Sequence, residues 1–104
     1  MKVFGLKFIF LILFVASGTV MAKPLWIDVR TAEEYAAGHL EDSVNIPYES
    51  ITAKVGDLTT DKDTDIRVYC RSGHRSGIAK KMLEEKGFTN VTNEGGYQDL
   101  VKKK

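Results

Sequence analysis

The residues with most chemistry to offer stand together in Cys70-Arg71-Ser72-Gly73-His74-Arg75-Ser76-Gly77. Cys70 closes the β-branched and aromatic run Ile66-Arg67-Val68-Tyr69, which reads as a strand. A helix is expected from Ser76 to Lys86, with Ile78, Ala79, Met82 and Leu83 as its inward stripe. The thiol therefore leaves a strand, crosses a short loop and meets a helix N-terminus. Successive backbone N–H groups in such a loop can turn inward and cradle an anion, and the helix adds about half a positive charge. Arg71 and Arg75 add two full charges. An ordinary thiol ionises at about 8.5, and helix N-termini with cationic neighbours lower this to roughly 3.5–7.5. The competing reading of Cys70 is an inert core residue acting as a small hydrophobe. Its neighbours favour an activated sulfur nucleophile facing an anion.

Loop length narrows the chemistry. Cysteine enzymes that handle phosphate place Arg six residues after Cys, where this chain has Ser76; Arg75 comes one place earlier. The tighter cradle suits a smaller reacting centre, such as a sulfur atom bonded to Cys70. Arg75 has two possible roles, anion binding and structural pairing with a carboxylate such as Asp28. Arg71 either binds the anion or is a solvated charge. His74 could contact substrate, but a thiolate held by its cradle needs no general base. Asp28 and Arg30 read as a structural pair at a strand end. His39 reads as a turn residue bonded to backbone, and Trp26 as packing. Cys70, His39 and His74 lack metal-ligand spacing, so no metal is expected.

The elements that would carry this loop alternate. Leu25–Val29 reads as a buried strand. Thr31 and Glu34 form a capping box that opens a helix over Ala32–Ala37, with Gly38 as a left-handed stop. Val44–Ile46 is a second strand ended by Pro47, and Tyr48–Val55 a loosely helical stretch. A polar loop over Thr59–Asp65 leads to the Cys70 strand. Phe88–Thr92 is expected as the fourth strand, Asn93-Glu94-Gly95-Gly96 as a turn, and Tyr97–Val101 as a last helix. Such alternation implies an α/β fold: a small, mostly parallel sheet flanked by helices, with ligands bound beyond the carboxyl ends of the strands.

Residues 1–22 read as a secretory signal. Lys2 and Lys7 precede an apolar run from Phe8 to Val15, and small residues lead to Ala22. Lys7 interrupts the stretch before it reaches a membrane-spanning length. Removing these 22 of 104 residues leaves 82, enough for one small domain over residues 23–104. The whole chain carries 15 basic and 14 acidic residues; without Lys2 and Lys7 the formal charge is −1. Nothing in that balance favours nucleic-acid binding, and Lys102-Lys103-Lys104 reads as a solvated tail. Cys70 is the one cysteine, so an exported domain would hold no internal disulfide.

Taken in order, the motifs resemble the rhodanese (sulfurtransferase) family. Trp26-Ile27-Asp28-Val29-Arg30 is similar to its first strand and Asp-x-Arg signature. Glu34-Tyr35, Gly38-His39-Leu40 and Asn45-Ile46-Pro47 resemble its second block. Val68 to Ser76 resembles its six-residue active-site loop, and Gly95-Gly96-Tyr97 its closing motif. The chain departs from the family's usual pattern at Asp42-Ser43 and at Leu100. With its leader, it is most similar to single-domain periplasmic rhodaneses of the phage-shock-protein-E type. The resemblance implies a thiosulfate sulfurtransferase acting by double displacement. Cys70 would take the sulfane sulfur of thiosulfate as a persulfide and pass it to a thiophilic acceptor, cyanide or a thiol. The backbone from Arg71 through Ser72, Gly73, His74 and Arg75 to Ser76 would bind the sulfur and its donor. No cofactor, nucleic acid or lasting membrane association is implied. The alternatives on the same fold are a non-enzymatic sulfur carrier or stress-linked binding module, and a small phosphatase or arsenate reductase.

Overall fold

The computed structural model describes residues 23–103. The expected signal at 1–22, and Lys104, lie outside the described residues. Strand β1 (Leu25–Asp28) leads into helix α1 (Ala32–Ala37). Thr31 caps α1 as expected: its hydroxyl accepts the Glu34 N–H at 3.1 Å, and Glu34 accepts the Thr31 N–H at 3.0 Å. Such a cap stabilises a helix end by about 1 kcal/mol. Strand β2 (Val44–Asn45) is followed by a short α2 (Ile51–Lys54) set between two 3₁₀ turns, Tyr48–Ser50 and Val55–Asp57. Only Ile51 and Val55 of this stretch are fully buried, one helical turn apart, with Tyr48 packed against the core from the first turn, and that narrow anchor explains its irregularity. Strand β3 (Ile66–Cys70), helix α3 (His74–Glu85), strand β4 (Val91–Gly96) and helix α4 (Tyr97–Lys103) complete the chain.

The four strands form one all-parallel sheet in the order β2-β1-β3-β4. The chain leaves β1 toward β2 on one side and returns to β3 on the other. The carboxyl ends of β1 and β3 thus flank the point where the order reverses, where a crevice forms. Strand alternation divides the sheet into two faces. Ile27, Val29, Ile66, Val68 and Cys70 join Ile51, Val55, Ala79, Leu83 and Phe88 in the main core. The opposite face carries Trp26, Asp28, Arg67 and Tyr69. There Tyr69 is fully buried, stacked at 6.1 Å on Tyr97, and its hydroxyl lies 2.9 Å from Ser43 Oγ and accepts the Leu40 N–H.

Three sequence expectations need correction. Helix α3 starts at His74, two residues before the expected Ser76, because Gly73 takes the N-cap with φ +100°. Gly38 does end α1, its N–H bonding Tyr35 O at 3.1 Å. Its φ of 153° is positive, as glycine readily allows, but with ψ of 137° it lies outside the left-handed helical well. The fourth strand runs over Val91–Gly96 instead of Phe88–Thr92. Asn93-Glu94-Gly95-Gly96 has turn-like composition, yet it pairs with β3. The register slips between Val68↔Asn93 and Tyr69↔Gly95, leaving Glu94 as a bulge. Phe88 still belongs to the core, 2% exposed, but from the connection before the strand.

Beyond β1, Asp28 and Arg30 form a buried pair, 0% and 6% exposed. Arg30 Nη2 donates to Asp28 Oδ2 at 2.6 Å, and its Nε lies 2.9 and 3.0 Å from the two carboxylate oxygens. Arg30 also donates to Gly38 O at 2.7 Å and lies 4.5 Å from the Tyr97 ring centroid. Breaking such a pair from one side leaves an uncompensated buried charge. Asp28→Ala should therefore lower the unfolding free energy by about 3–5 kcal/mol in urea titrations. A loss under about 1 kcal/mol, the range of an exposed pair, would contradict this account.

Candidate active site

Cys70 ends β3 and is 1% exposed, but its sulfur does not sit in hydrocarbon. The loop wraps it in donors. The Gly73 N–H donates to Sγ at 3.0 Å and the Ser76 N–H at 3.4 Å, and the Ser76 hydroxyl oxygen lies 3.3 Å away. The local cause is helical. The first N–H groups of a helix have no partner within it, and a side-chain oxygen at the N-cap usually accepts one. The N-cap of α3 is Gly73, which has no side chain and makes no such bond. The sulfur of Cys70 takes that place. Gly73 can present its own N–H to the same atom because its left-handed backbone folds the loop inward.

Two opposing effects act on the thiol. Burial pushes its ionisation up. The hydroxyl and N–H of Ser76, with the N–H groups of Ser72 and Gly73, pull it down further, so it ionises below the ordinary thiol range. Of the backbone donors, helix end and two arginines expected around the sulfur, the hydrogen-bond donors of the loop lead this stabilisation.

The arginines are placed differently from each other. Arg75 forms a two-pronged pair with Glu34 of α1, at 2.8 and 3.1 Å. Its partner is thus Glu34, and Asp28 is taken by Arg30. Arg75, against the opposing effect of burial and aided by Thr31, holds the Glu34 carboxylate down to about 2. Arg71 is exposed, and no carboxylate pairs with it among the described residues. It borders a cleft of about 390 Å³ that is also lined by Arg30, Glu34, Tyr97 and Gln98. Cys70 is not part of that lining; the cleft meets the loop at Arg71. Ser72 and His74 are exposed on the loop and the first turn of α3. His39 lies apart, its Nδ1 2.8 Å from Tyr35 O and its ring stacked 3.6 Å from Tyr35.

Strand β4 forms the back of the loop. A Cβ on Gly96 would lie 2.5 Å from Arg71 O, so only glycine lets the strand and loop approach this closely. Asn93 ties the two together: its Nδ2 donates to Gly73 O at 3.0 Å, and its Oδ1 accepts the Ser76 hydroxyl at 2.7 Å and the Gly95 N–H at 3.0 Å. Sequence reasoning missed Asn93 and the Glu34–Arg75 pair. An Asn two residues before a glycine resembles an ordinary turn, and Glu34 was already accounted for by its capping role.

Comparison with known proteins identifies the family. Residues 16–103 match the rhodanese-like domain. The chain is 39% identical over 82 residues to the thiosulfate sulfurtransferase PspE of Escherichia coli K12, covering 79% of each chain. It is 36% identical over 72 residues to a sulfurtransferase of Allochromatium vinosum, covering 69% of this chain and 65% of that one. Among solved structures it is similar to a rhodanese from E. coli determined with anions. That match has a TM-score of 0.71 at 39% identity and covers 74% of this chain and 91% of the other. The family match spans the whole described fold, and the chain belongs to the rhodanese-like domain family as a sulfurtransferase.

Proposed function

We propose that this protein is an exported thiosulfate sulfurtransferase of the thiosulfate:cyanide type, with Cys70 as its nucleophile. The observation that carries the reading is the sulfur's setting: an atom at the floor of a loop, facing the N–H groups of Gly73 and Ser76. The ionised sulfur attacks the outer sulfur of thiosulfate. The S–S bond of the donor breaks, its electron pair leaves with sulfite, and Cys70 holds a persulfide anion. A cyanide ion or a thiolate then attacks the outer sulfur, and the electron pair returns to Cys70. Each step conserves charge, needs no redox partner, and fits covalent catalysis with two half-reactions.

The loop residues divide the work in this reading. The N–H groups from Arg71 to Ser76 hold negative charge on sulfur, where fixed dipoles act without reorganising. Arg71, exposed at the mouth of the cleft, draws the sulfonate end of the donor. Arg75 holds the loop to α1 through Glu34 and adds its field at longer range. The Asp28–Arg30 pair is structural. Residues 1–22 act as a cleaved leader that exports the domain to the periplasm, with no lasting membrane association. The name of the E. coli relative, a thiosulfate sulfurtransferase, supports the choice of donor.

Mass spectrometry tests the central step. Incubation with thiosulfate should add about 32 Da, one sulfur on the nucleophile, and Cys70→Ser should abolish both the adduct and thiocyanate formation. No adduct on the unaltered protein would end this reading. An adduct without turnover to cyanide or thiols would make the domain a sulfur carrier instead. The rate of alkylation by iodoacetamide, followed against pH, should rise with a midpoint below the ordinary thiol value of about 8.5. A midpoint at or above that value would contradict the cradle. Arg71→Ala should raise KM for thiosulfate by roughly tenfold, the loss of one charge-assisted contact, while Tm hardly moves. Arg75→Ala, by freeing Glu34 and the loop, should lower Tm as well. Equal effects of the two substitutions on both measurements would refute this division of roles.

A further inference from the structure

The Ser76 hydroxyl stands between two claimants. It is fully buried, 2.7 Å from Asn93 Oδ1 and 3.3 Å from Cys70 Sγ. A hydroxyl carries one proton. The Asn93 amide is oriented from both ends, since its Nδ2 faces the carbonyl of Gly73 and its Oδ1 faces the N–H of Gly95. The atom presented to Ser76 is therefore an oxygen that can only accept, and Ser76 must donate to it. With that proton committed, the Ser76–Cys70 contact is satisfied only when the sulfur is a thiol, its S–H donating to Oγ. An ionised sulfur has no proton to give. Two lone pairs would then face each other at 3.3 Å unless the hydroxyl turned. The turn is favoured, because a hydrogen bond to a charged acceptor is roughly twice as strong as a neutral one. Asn93, being exposed, can replace the lost bond with water.

We propose that the Ser76 hydroxyl is a two-position proton donor, held by Asn93 while Cys70 is a thiol and turned to the sulfur when that sulfur carries negative charge, so that Asn93 is a positioning residue tuning the nucleophile. The inference rests on the reading of Cys70 as the nucleophile. Its consequence is a pair of opposed effects: Ser76 eases ionisation of the thiol, and Asn93, by competing for the same proton, restrains it. Other charges act on the sulfur too. On its own loop and helix these are Arg71, His74 and Arg75. From the packed elements they are Glu34 of α1, the Asp28–Arg30 pair at the end of β1, and Glu94 of β4, paired with Arg67. None of them bonds the Ser76 hydroxyl among the described residues. All stay constant when only Ser76 and Asn93 are varied, so their contribution cancels.

The first test needs no altered Asn93. In protein labelled with ¹³C, the Asn93 side-chain carbonyl resonance is followed while Cys70 is titrated by its thiolate absorbance. The resonance should shift with the same midpoint as the thiol, and should stay flat in Ser76→Ala. A resonance that stays flat in the unaltered protein, or moves equally in both, would overturn the proposal. The second test is a double-mutant comparison of thiol midpoints. Ser76→Ala should raise the midpoint by about one unit, the worth of one hydrogen bond. Asn93→Ala should lower it when Ser76 is present and leave it unchanged in the Ser76→Ala background. If Asn93 merely propped the loop, its loss would raise the midpoint in both backgrounds. The thiosulfate adduct is read separately. An adduct with a flat Asn93 resonance sinks the proton switch alone; a responsive resonance with no adduct sinks the sulfurtransferase reading alone.

Discussion

Helix α3 begins without a capping side chain, and the unpartnered N–H groups of its first turn must point at something. That of Ser76, with the N–H of the Gly73 cap, points at the sulfur of Cys70. One arrangement thereby meets two needs. The helix end gains an acceptor, and the sulfur, whose burial disfavours charge, gains the donors that favour its charged form. Much of the surrounding structure serves to keep the loop in the one shape that allows this. Gly73 supplies a left-handed turn that side-chain-bearing residues rarely adopt. Gly96 leaves room for Arg71 O, and Asn93 grips the carbonyl of Gly73. The bulge at Glu94 shifts the β4 register, so that Asn93 pairs with Val68 and Gly96 with Cys70.

The groups that hold the sulfur are distinct from the exposed cation of the loop, Arg71. If two free arginines flanked the thiolate, their long side chains would have to be ordered, at a substantial cost in side-chain entropy. Here backbone dipoles, already fixed by the fold, stabilise the sulfur directly. Arg75 is tethered to Glu34, which is itself bound into the capping box of α1. The loop, α3 and α1 are thereby tied through one carboxylate. Arg71 has no such tether among the described residues and opens on the cleft, where an incoming anion could meet it.

The far side of the sheet has a matching constraint. Asp28 and Arg30 bury opposite charges beneath Tyr69 and Tyr97, and Asn45 holds the strand end by donating to the carbonyls of Asp28 and Arg30 at 3.0 Å each. A desolvated ion pair contributes little net stability, but it penalises any packing that separates its partners. The end of β1 is thus held where it borders the end of β3, and the cleft between them keeps a firm wall.

Much was legible from residue order alone. Short β-branched runs, the Thr31–Glu34 capping box and the glycines that end helices announce an alternating α/β chain, because these signals act over a few neighbouring residues. Cys70 at a strand end before a Gly-containing loop pointed, for the same reason, to a sulfur facing backbone N–H groups, which is where the fold places it. What residue order could not decide was partnership across the fold. Arg75 meets Glu34 rather than Asp28 because α1 docks beside the loop, 41 positions away in sequence. Asn93 to Gly96, turn-like by composition, becomes a bulged strand because β3 offers an edge for it to pair with, and tertiary pairing outweighs local propensity. The choice of hydrogen bonds over arginine charge as the main stabiliser of the sulfur likewise depends on ångström-scale placement of backbone N–H groups, which only the packed sheet and helix determine.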